Sequence, residues 1–230
     1  KGLDKNAKMS SSGIEYFGNI PKHWQLKKLK YVADVIPSNI DKLTVDDEEQ
    51  VSLCNYVDVY KNEKITEDLV ENFMISTAKP NQIKKLSLFK EDVIITKDSE
   101  TPDDIGVPAF VPETLPGVVC GYHLAILRPN KINGEYLFRC LQSTPTKIQY
   151  FLSASGLTRY SIGIGDIGNL LVAVPPENEQ LEIQAELDRY TKISNQAIKA
   201  IESTISNLKE LRTSLISNIV TGKIQINDLP

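Results

Sequence analysis

Two segments hold most of the side chains in this sequence that could do chemistry. They are Ile95-Thr96-Lys97-Asp98-Ser99-Glu100-Thr101-Pro102-Asp103-Asp104-Ile105-Gly106 and Val119-Cys120-Gly121-Tyr122-His123-Leu124. Each sets hydrogen-bonding side chains directly beside an apolar strand candidate. Lys97, Ser99, Glu100, Thr101, Tyr122 and His123, joined by Thr158, Arg159 and Tyr160, are residue types that contact base edges and phosphates. Arg159, within Ser155-Gly156-Leu157-Thr158-Arg159-Tyr160-Ser161, is the strongest single candidate. Near a glycine and between hydroxyl residues, it can approach a phosphate closely or pair with guanine through two parallel bonds. The competing reading is an exposed loop arginine without a ligand.

Bond-making chemistry has less support. Glu91, Asp92, Asp98, Glu100, Asp103 and Asp104 crowd around Lys97, and metal-dependent cleavage does use converging carboxylates beside a lysine. These acids are too many and too loosely spaced to single out a pair, and turn formation accounts for most of them. Gly163-Ile164-Gly165-Asp166-Ile167-Gly168 matches the dinucleotide-binding glycine pattern, which requires a strand leading in and a helix opening at the third glycine. A strand candidate and Pro175-Pro176 follow instead, so a flexible surface loop is expected there. Val174-Pro175-Pro176-Glu177 lacks the flanking Asn or Asp and the aromatic with which a methyltransferase grips a flipped base. His23, beside Pro21 and Trp24, is expected to pack, and His123 adjoins Tyr122 where a strand begins. Cys54, Cys120 and Cys140 form no CxxC pair, so free buried thiols are expected in place of zinc ligands or disulfides.

The elements that position these residues fall into two classes. From Trp24 to Val174, short β-favouring runs alternate with Pro, Gly, Asn and Asp. Strands are expected at Val51 to Leu53, Tyr56 to Tyr60, Asp92 to Thr96, Ala109 to Val111, Val118 to Cys120, Leu124 to Leu127 and Leu170 to Val174. Helices are expected at Tyr136 to Leu141 and after Thr144-Pro145, with Thr144 as cap and Pro145 in the first turn. Beyond Pro175-Pro176 the acids Glu177, Glu179, Glu182 and Glu186 suit a helix N-terminus. Apolar or small residues then recur every three or four positions, through Ile183, Leu187, Tyr190, Ile193, Ala197, Ile201, Ile205, Leu208, Leu211, Leu215 and Ile219. No Gly or Pro interrupts before Gly222, so one helix is expected from Glu177 to about Val220. A helix that long cannot bury its whole stripe on one modest domain and calls for a partner helix.

The fold class is therefore α+β: a mixed module with a largely antiparallel sheet, followed by one long coiled-coil-forming helix. Its expected divisions are an N-terminal linker (1–24), a recognition domain (25–174), the helix (175–222) and a tail (223–230). The net charge of −4 conceals segregation. Asp41, Asp46, Asp47, Glu48, Glu49, Asp58, Glu63, Glu67, Asp68 and Glu71 face only Lys42, Lys61 and Lys64. Arg128, Lys131, Arg139, Lys147 and Arg159 then oppose Glu135 alone. Such segregation permits a local basic surface on an acidic protein. Apolar runs stop well short of the roughly 20 residues of a membrane helix, so a soluble, cytoplasmic protein is expected.

Several of these segments together resemble the specificity subunit of type I restriction-modification systems. They are Ser12-Gly13-Ile14-Glu15-Tyr16-Phe17-Gly18-Asn19-Ile20-Pro21-Lys22-His23-Trp24, the Thr96 to Gly106 and Gly121 to Pro129 stretches, Ser155 to Tyr160, Pro175-Pro176-Glu177-Asn178-Glu179-Gln180 and Ile219-Val220-Thr221-Gly222-Lys223. The resemblance implies a non-catalytic component with two tandem repeats, each a target-recognition domain and a conserved helix. The two helices pair antiparallel as a spacer, each domain reads half of a split DNA target, and methyltransferase subunits dock on the whole. The restriction subunit joins indirectly, and S-adenosylmethionine, ATP and magnesium serve those partners, with no cofactor expected on this chain. One repeat is present here. The opening Lys1-Gly2-Leu3 resembles the family's junction between repeats, which implies a C-terminal half. An isolated half should form a two-fold dimer through Ile183, Leu187, Tyr190, Ile201, Ile205, Leu208, Leu215 and Ile219. Two rival classes remain from the residues alone: a small nuclease or methyltransferase, and a protein-interaction module built on the helix.

Overall fold

Val93-Ile94-Ile95 and Leu124-Ala125-Ile126-Leu127 are apolar at every position, the pattern of strands covered on both faces. The computed structural model, which describes residues 2–224, places them between the two hydrophobic cores of the domain that precedes the long helix. In chain order the strands are β1 (Met9–Ser11), β2 (Asn19–Pro21), β3 (Gln25–Lys28), β4 (Ala33–Pro37), β5 (Glu49–Cys54), β6 (Met74–Ala78), β7 (Val93–Thr96), β8 (Asp98–Ser99), β9 (Pro108–Phe110), β10 (Val118–Cys120), β11 (Leu124–Pro129), β12 (Tyr160–Ser161) and β13 (Leu171–Val174). The helices are α1 (Tyr56–Lys61), α2 (Pro80–Leu86), α3 (Gly134–Gln142), α4 (Thr144–Ser153), α5 (Ile164–Asn169) and α6 (Glu177–Val220). The expected tail falls outside the described residues from position 225 onward.

The main sheet runs β4-β11-β7-β9 and is antiparallel throughout. A second sheet, β10-β5-β6, contains the parallel pair β10/β5. The α+β class and the predominance of antiparallel pairing hold. Strand alternation divides the interior in two. Val93, Ile95, Ala125 and Leu127 face a core with Leu29, Phe138 and Tyr150, while Ile94, Leu124 and Ile126 face one with Leu53, Ile65 and Leu88. A slip of one residue would exchange these faces, so burial fixes the register of β7 against β11.

Several local expectations are corrected. Tyr56 to Tyr60 is helical, because Asn55 and Asp58 form a capping box: Tyr56 N donates to Asn55 Oδ1 and Asn55 N to Asp58 Oδ2, both at 2.8 Å. The alternating Tyr and Val residues imitate a strand. Ser143, not Thr144, occupies the cap position of α4, with Pro145 in its first turn. Gly163 to Gly168 is no loop, since α5 occupies it and buries Ile167 and Gly168. His23 is exposed and bonded to Glu179 Oε2 at 2.7 Å, in place of packing.

Two compact units are present, residues up to Gln184 and residues from Ala185. In the first, the opening turns of α6 join a polar knot. Gln180 Nε2 donates to the Pro175 carbonyl (2.9 Å), Asn133 N donates to Gln180 Oε1 (2.9 Å), and Gln184 Nε2 donates to Asn133 Oδ1. Asn133 also caps α3 by accepting from Tyr136 N. In the second unit α6 continues to Val220, its 44 residues amounting to about 66 Å at the α-helical rise. Gly222, at φ +72°, closes it as Lys223 N bonds the Asn218 carbonyl at 2.8 Å. No helix among the described residues is long and apolar enough to cross a membrane.

A charged pair ties β7 to β11. Asp92, 1% exposed, accepts from Arg128 Nε (2.9 Å), Arg128 Nη2 (2.8 Å) and Phe89 N (2.9 Å), while the guanidinium lies 4.6 Å from the Phe89 ring centroid. Asp92→Ala strands a partly buried guanidinium and is expected to cost about 3–5 kcal/mol in urea unfolding; a loss under 1 kcal/mol would show the pair to be incidental. Desolvation raises the Cys54 and Cys120 thiols and pushes Cys140 up to about 12. Cys140, partly buried where full burial was expected, should react slowly with a thiolate-selective disulfide reagent at about pH 8, whereas the buried Cys54 and Cys120 should resist it and react only on unfolding. Fast labelling of the native chain would contradict their burial.

Candidate nucleic-acid interface

The pairing of β7 with β11 brings the two segments of interest to one place. Thr96 stands opposite Leu124, so Lys97, just after β7, meets His123, just before β11, and Lys97 N donates to the His123 carbonyl at 2.9 Å. The Lys97 ammonium lies 5.6 Å from the Tyr122 ring centroid, and Tyr122, half exposed, meets His123 edge-on at 4.7 Å. The third segment joins through β8 and β12. Tyr160 pairs with Ser99, Ser161 pairs with Asp98, and Ile162 N donates to the Lys97 carbonyl at 3.0 Å.

Residues 155 to 161 form a tight loop, closed by two bonds between the backbones of Ser155 and Ser161 at 3.1 and 2.9 Å. Gly156 permits it, with φ +146° and the Arg159 carbonyl where a Cβ would lie. Leu157, Thr158 and Arg159 are exposed on this loop, and Tyr160 is half-buried. Thus Lys97, Glu100, Thr101, Tyr122, Thr158, Arg159 and Tyr160 sit on segments that adjoin one another. Ser99 differs: it is 2% exposed, and its hydroxyl accepts from Thr101 N at 3.3 Å. It shapes the turn from within.

The acidic cluster is dispersed. Asp92 serves Arg128, Asp98 accepts from His123 Nδ1 at 2.7 Å, Asp104 accepts from the Tyr60 hydroxyl at 2.9 Å, and Glu91 accepts from Gly134 N at 2.9 Å. Burial raises the pKa of the Tyr60 phenol, and the bond to Asp104 acts in the same direction. The basic segment is also thinner than its sequence suggests. Arg128 is held by Asp92 and Ser87, and Arg139, half-buried, donates to Gln142 Oε1 at 3.2 Å, which leaves Lys131, Lys147 and Arg159 as its exposed cations.

On α6, Ile183 is half-buried against the domain core. Leu187, Tyr190, Ile201, Ile205 and Leu208 are exposed, and Leu215 and Ile219 are half-buried. Sequence reading missed Asp98 as a partner of His123 and Gln180 and Gln184 as anchors. The glutamines stand four apart in the first turns of an amphipathic helix, a spacing that places both on one face.

The fold is an α+β domain of mixed sheets and short helices, continued by a long amphipathic helix. The family model for the type I restriction modification DNA specificity domain matches residues 21–206, and the chain belongs to that family. It is 24% identical over 188 residues to a Methanocaldococcus jannaschii protein that bears the name type I restriction enzyme MjaX specificity subunit, covering 80% of this chain and 43% of that one. A chain from a type I R-M system, solved for its complex assembly and conformational transition, superposes with a TM-score of 0.67 at 19% identity, over 91% of this chain and 48% of that one. The HsdS subunit from Thermoanaerobacter tengcongensis gives 0.58 at 18% identity, over 91% and 47%. This chain spans less than half the length of each of these relatives.

Proposed function

We propose that the chain is a non-catalytic DNA-specificity module of a cytoplasmic type I restriction-modification complex, reading one half of a bipartite duplex target. The observation that carries this reading is the convergence of Lys97, Tyr122, His123 and the Arg159 loop through two strand pairings, β7/β11 and β8/β12. Cations and hydroxyls on these segments position the phosphates, and a few side chains read base edges. Arg159 stands on a loop whose shape Gly156 enforces, so its approach to the duplex is preorganised. Methyltransferase subunits supply S-adenosylmethionine chemistry, and the restriction subunit supplies ATP- and magnesium-dependent cleavage.

The exposed stripe of α6 pairs with a second helix, from another repeat or another copy of the chain. Two copies related by a two-fold axis would present identical recognition domains to a palindromic split target. Fluorescence anisotropy against duplex DNA across a salt series tests the DNA reading. Arg159→Ala and Lys97→Ala should each weaken binding several-fold, and loss of a phosphate contact should reduce the log–log salt slope by about one. Affinity unchanged in both variants, or methyl transfer or cleavage by the chain alone, would contradict the proposal. For the helix, sedimentation should show self-association that the double substitution Ile201→Glu, Leu208→Glu abolishes; a wild-type monomer at high concentration would count against pairing.

A further inference from the structure

His123 and Asp98 form a unit that the recognition reading alone does not require. Asp98 Oδ2 lies 2.7 Å from His123 Nδ1, and both side chains are largely covered, at 31% and 21% exposure. The ring is braced by edge contacts to Tyr122 at 4.7 Å and Tyr56 at 6.4 Å, and its backbone is tied to Lys97. Its far nitrogen, Nε2, has no hydrogen-bond partner among the described residues and is not among the buried unpaired atoms. His123 and Tyr122 line an open cleft of about 300 Å³ together with Asp41, Lys42, Leu43 and Asn55. The imidazole is thus held in one orientation, with one polar atom left for a ligand.

We infer that the Asp98–His123 pair reads an exocyclic amino group on a base edge, adenine N6 or cytosine N4, with Nε2 as the acceptor and Asp98 as a positioning residue. The inference rests on the DNA-recognition reading above. The chemistry follows from tautomer control. A carboxylate at Nδ1 retains the proton there, so in the neutral ring Nε2 presents a lone pair. That lone pair attracts an N–H donor and opposes the carbonyl oxygens of guanine and thymine. In the major groove, amino donors and carbonyl acceptors distinguish the two orientations of each base pair. Lys97, stacked on Tyr122, is placed for the backbone on the flank.

The test begins with selection of bound sequences from a random duplex library by the full chain in mildly alkaline buffer. If no sequence is enriched, the DNA-recognition reading fails and the inference falls with it. With a selected half-site in hand, each adenine is replaced in turn by purine and each cytosine by 2-pyrimidinone, which delete the amino group alone. One replacement should weaken wild-type binding by about tenfold and leave His123→Phe, already weakened, unaffected. Asp98→Asn, which lets either ring nitrogen carry the proton, should flatten preference at that same position and at no other. Additive effects of His123→Phe and every amino deletion would overturn the inference while leaving DNA recognition intact. So would Asp98→Asn lowering affinity equally for all sequences.

Discussion

The antiparallel pairing of Val93–Thr96 with Leu124–Pro129 is the constraint on which the rest of the structure depends. Both strands are buried on both faces, so register is fixed from two sides at once by cores that share no residue. The consequence appears at the strand ends. Lys97 leaves β7 where His123 enters β11, and the two backbones are bonded there. The position of the Tyr122–His123 pair relative to Lys97 is therefore inherited from the core, and the Asp92–Arg128 pair locks the same two strands farther along.

The site is assembled from short elements attached to that rigid centre. β8 and β12 have two residues each, too few to stand alone, and they hold because Lys97 and Ile162 extend the contact by a further bond. Charge is distributed on the same principle. Asp92 neutralises Arg128 within the domain and Asp98 is bonded to His123, so neither carboxylate is left unpartnered beside a polyanion. This is how a chain of net charge −4 presents a few cations where they matter. The first turns of α6 belong to this design, because Gln180 and Gln184 bond the backbone and side chain that open α3.

Much of this was legible in the sequence, for stated physical reasons. The bounds of α6 follow from acids after a Pro-Pro pair, an unbroken stripe of three- and four-residue steps, and a closing glycine. β7, β10 and β11 follow from apolar runs bounded by turn residues. Tyr56 to Tyr60 misled because its alternation satisfies the strand period, while the deciding signal, Asn55 and Asp58 three apart, lies in polar side chains. β4, with Pro37 at its end, pairs only with β11 and fits the tolerance of an edge strand for proline. Gly163 to Gly168 became helical because Ile162, Ile167 and Leu170 are needed in the core, a tertiary demand that glycine content alone conceals. Of the candidate site, residue types and segments could be read in advance. The burial of Ser99, the capture of Arg128 and the Asp98–His123 bond could not, because each depends on a partner between 25 and 61 positions away or on the turn geometry of β8.

The central claim is that three separate segments, 97–101, 122–123 and 158–160, form one face that meets duplex DNA. Photocrosslinking of the chain to a selected duplex carrying a photoreactive base, with mass-spectrometric mapping of the linked peptides, tests it most directly. The account predicts crosslinks from bases within one half-site to all three segments and none to the acidic stretch from Glu63 to Glu71. Crosslinks confined to α6, or centred on that acidic stretch, would contradict it.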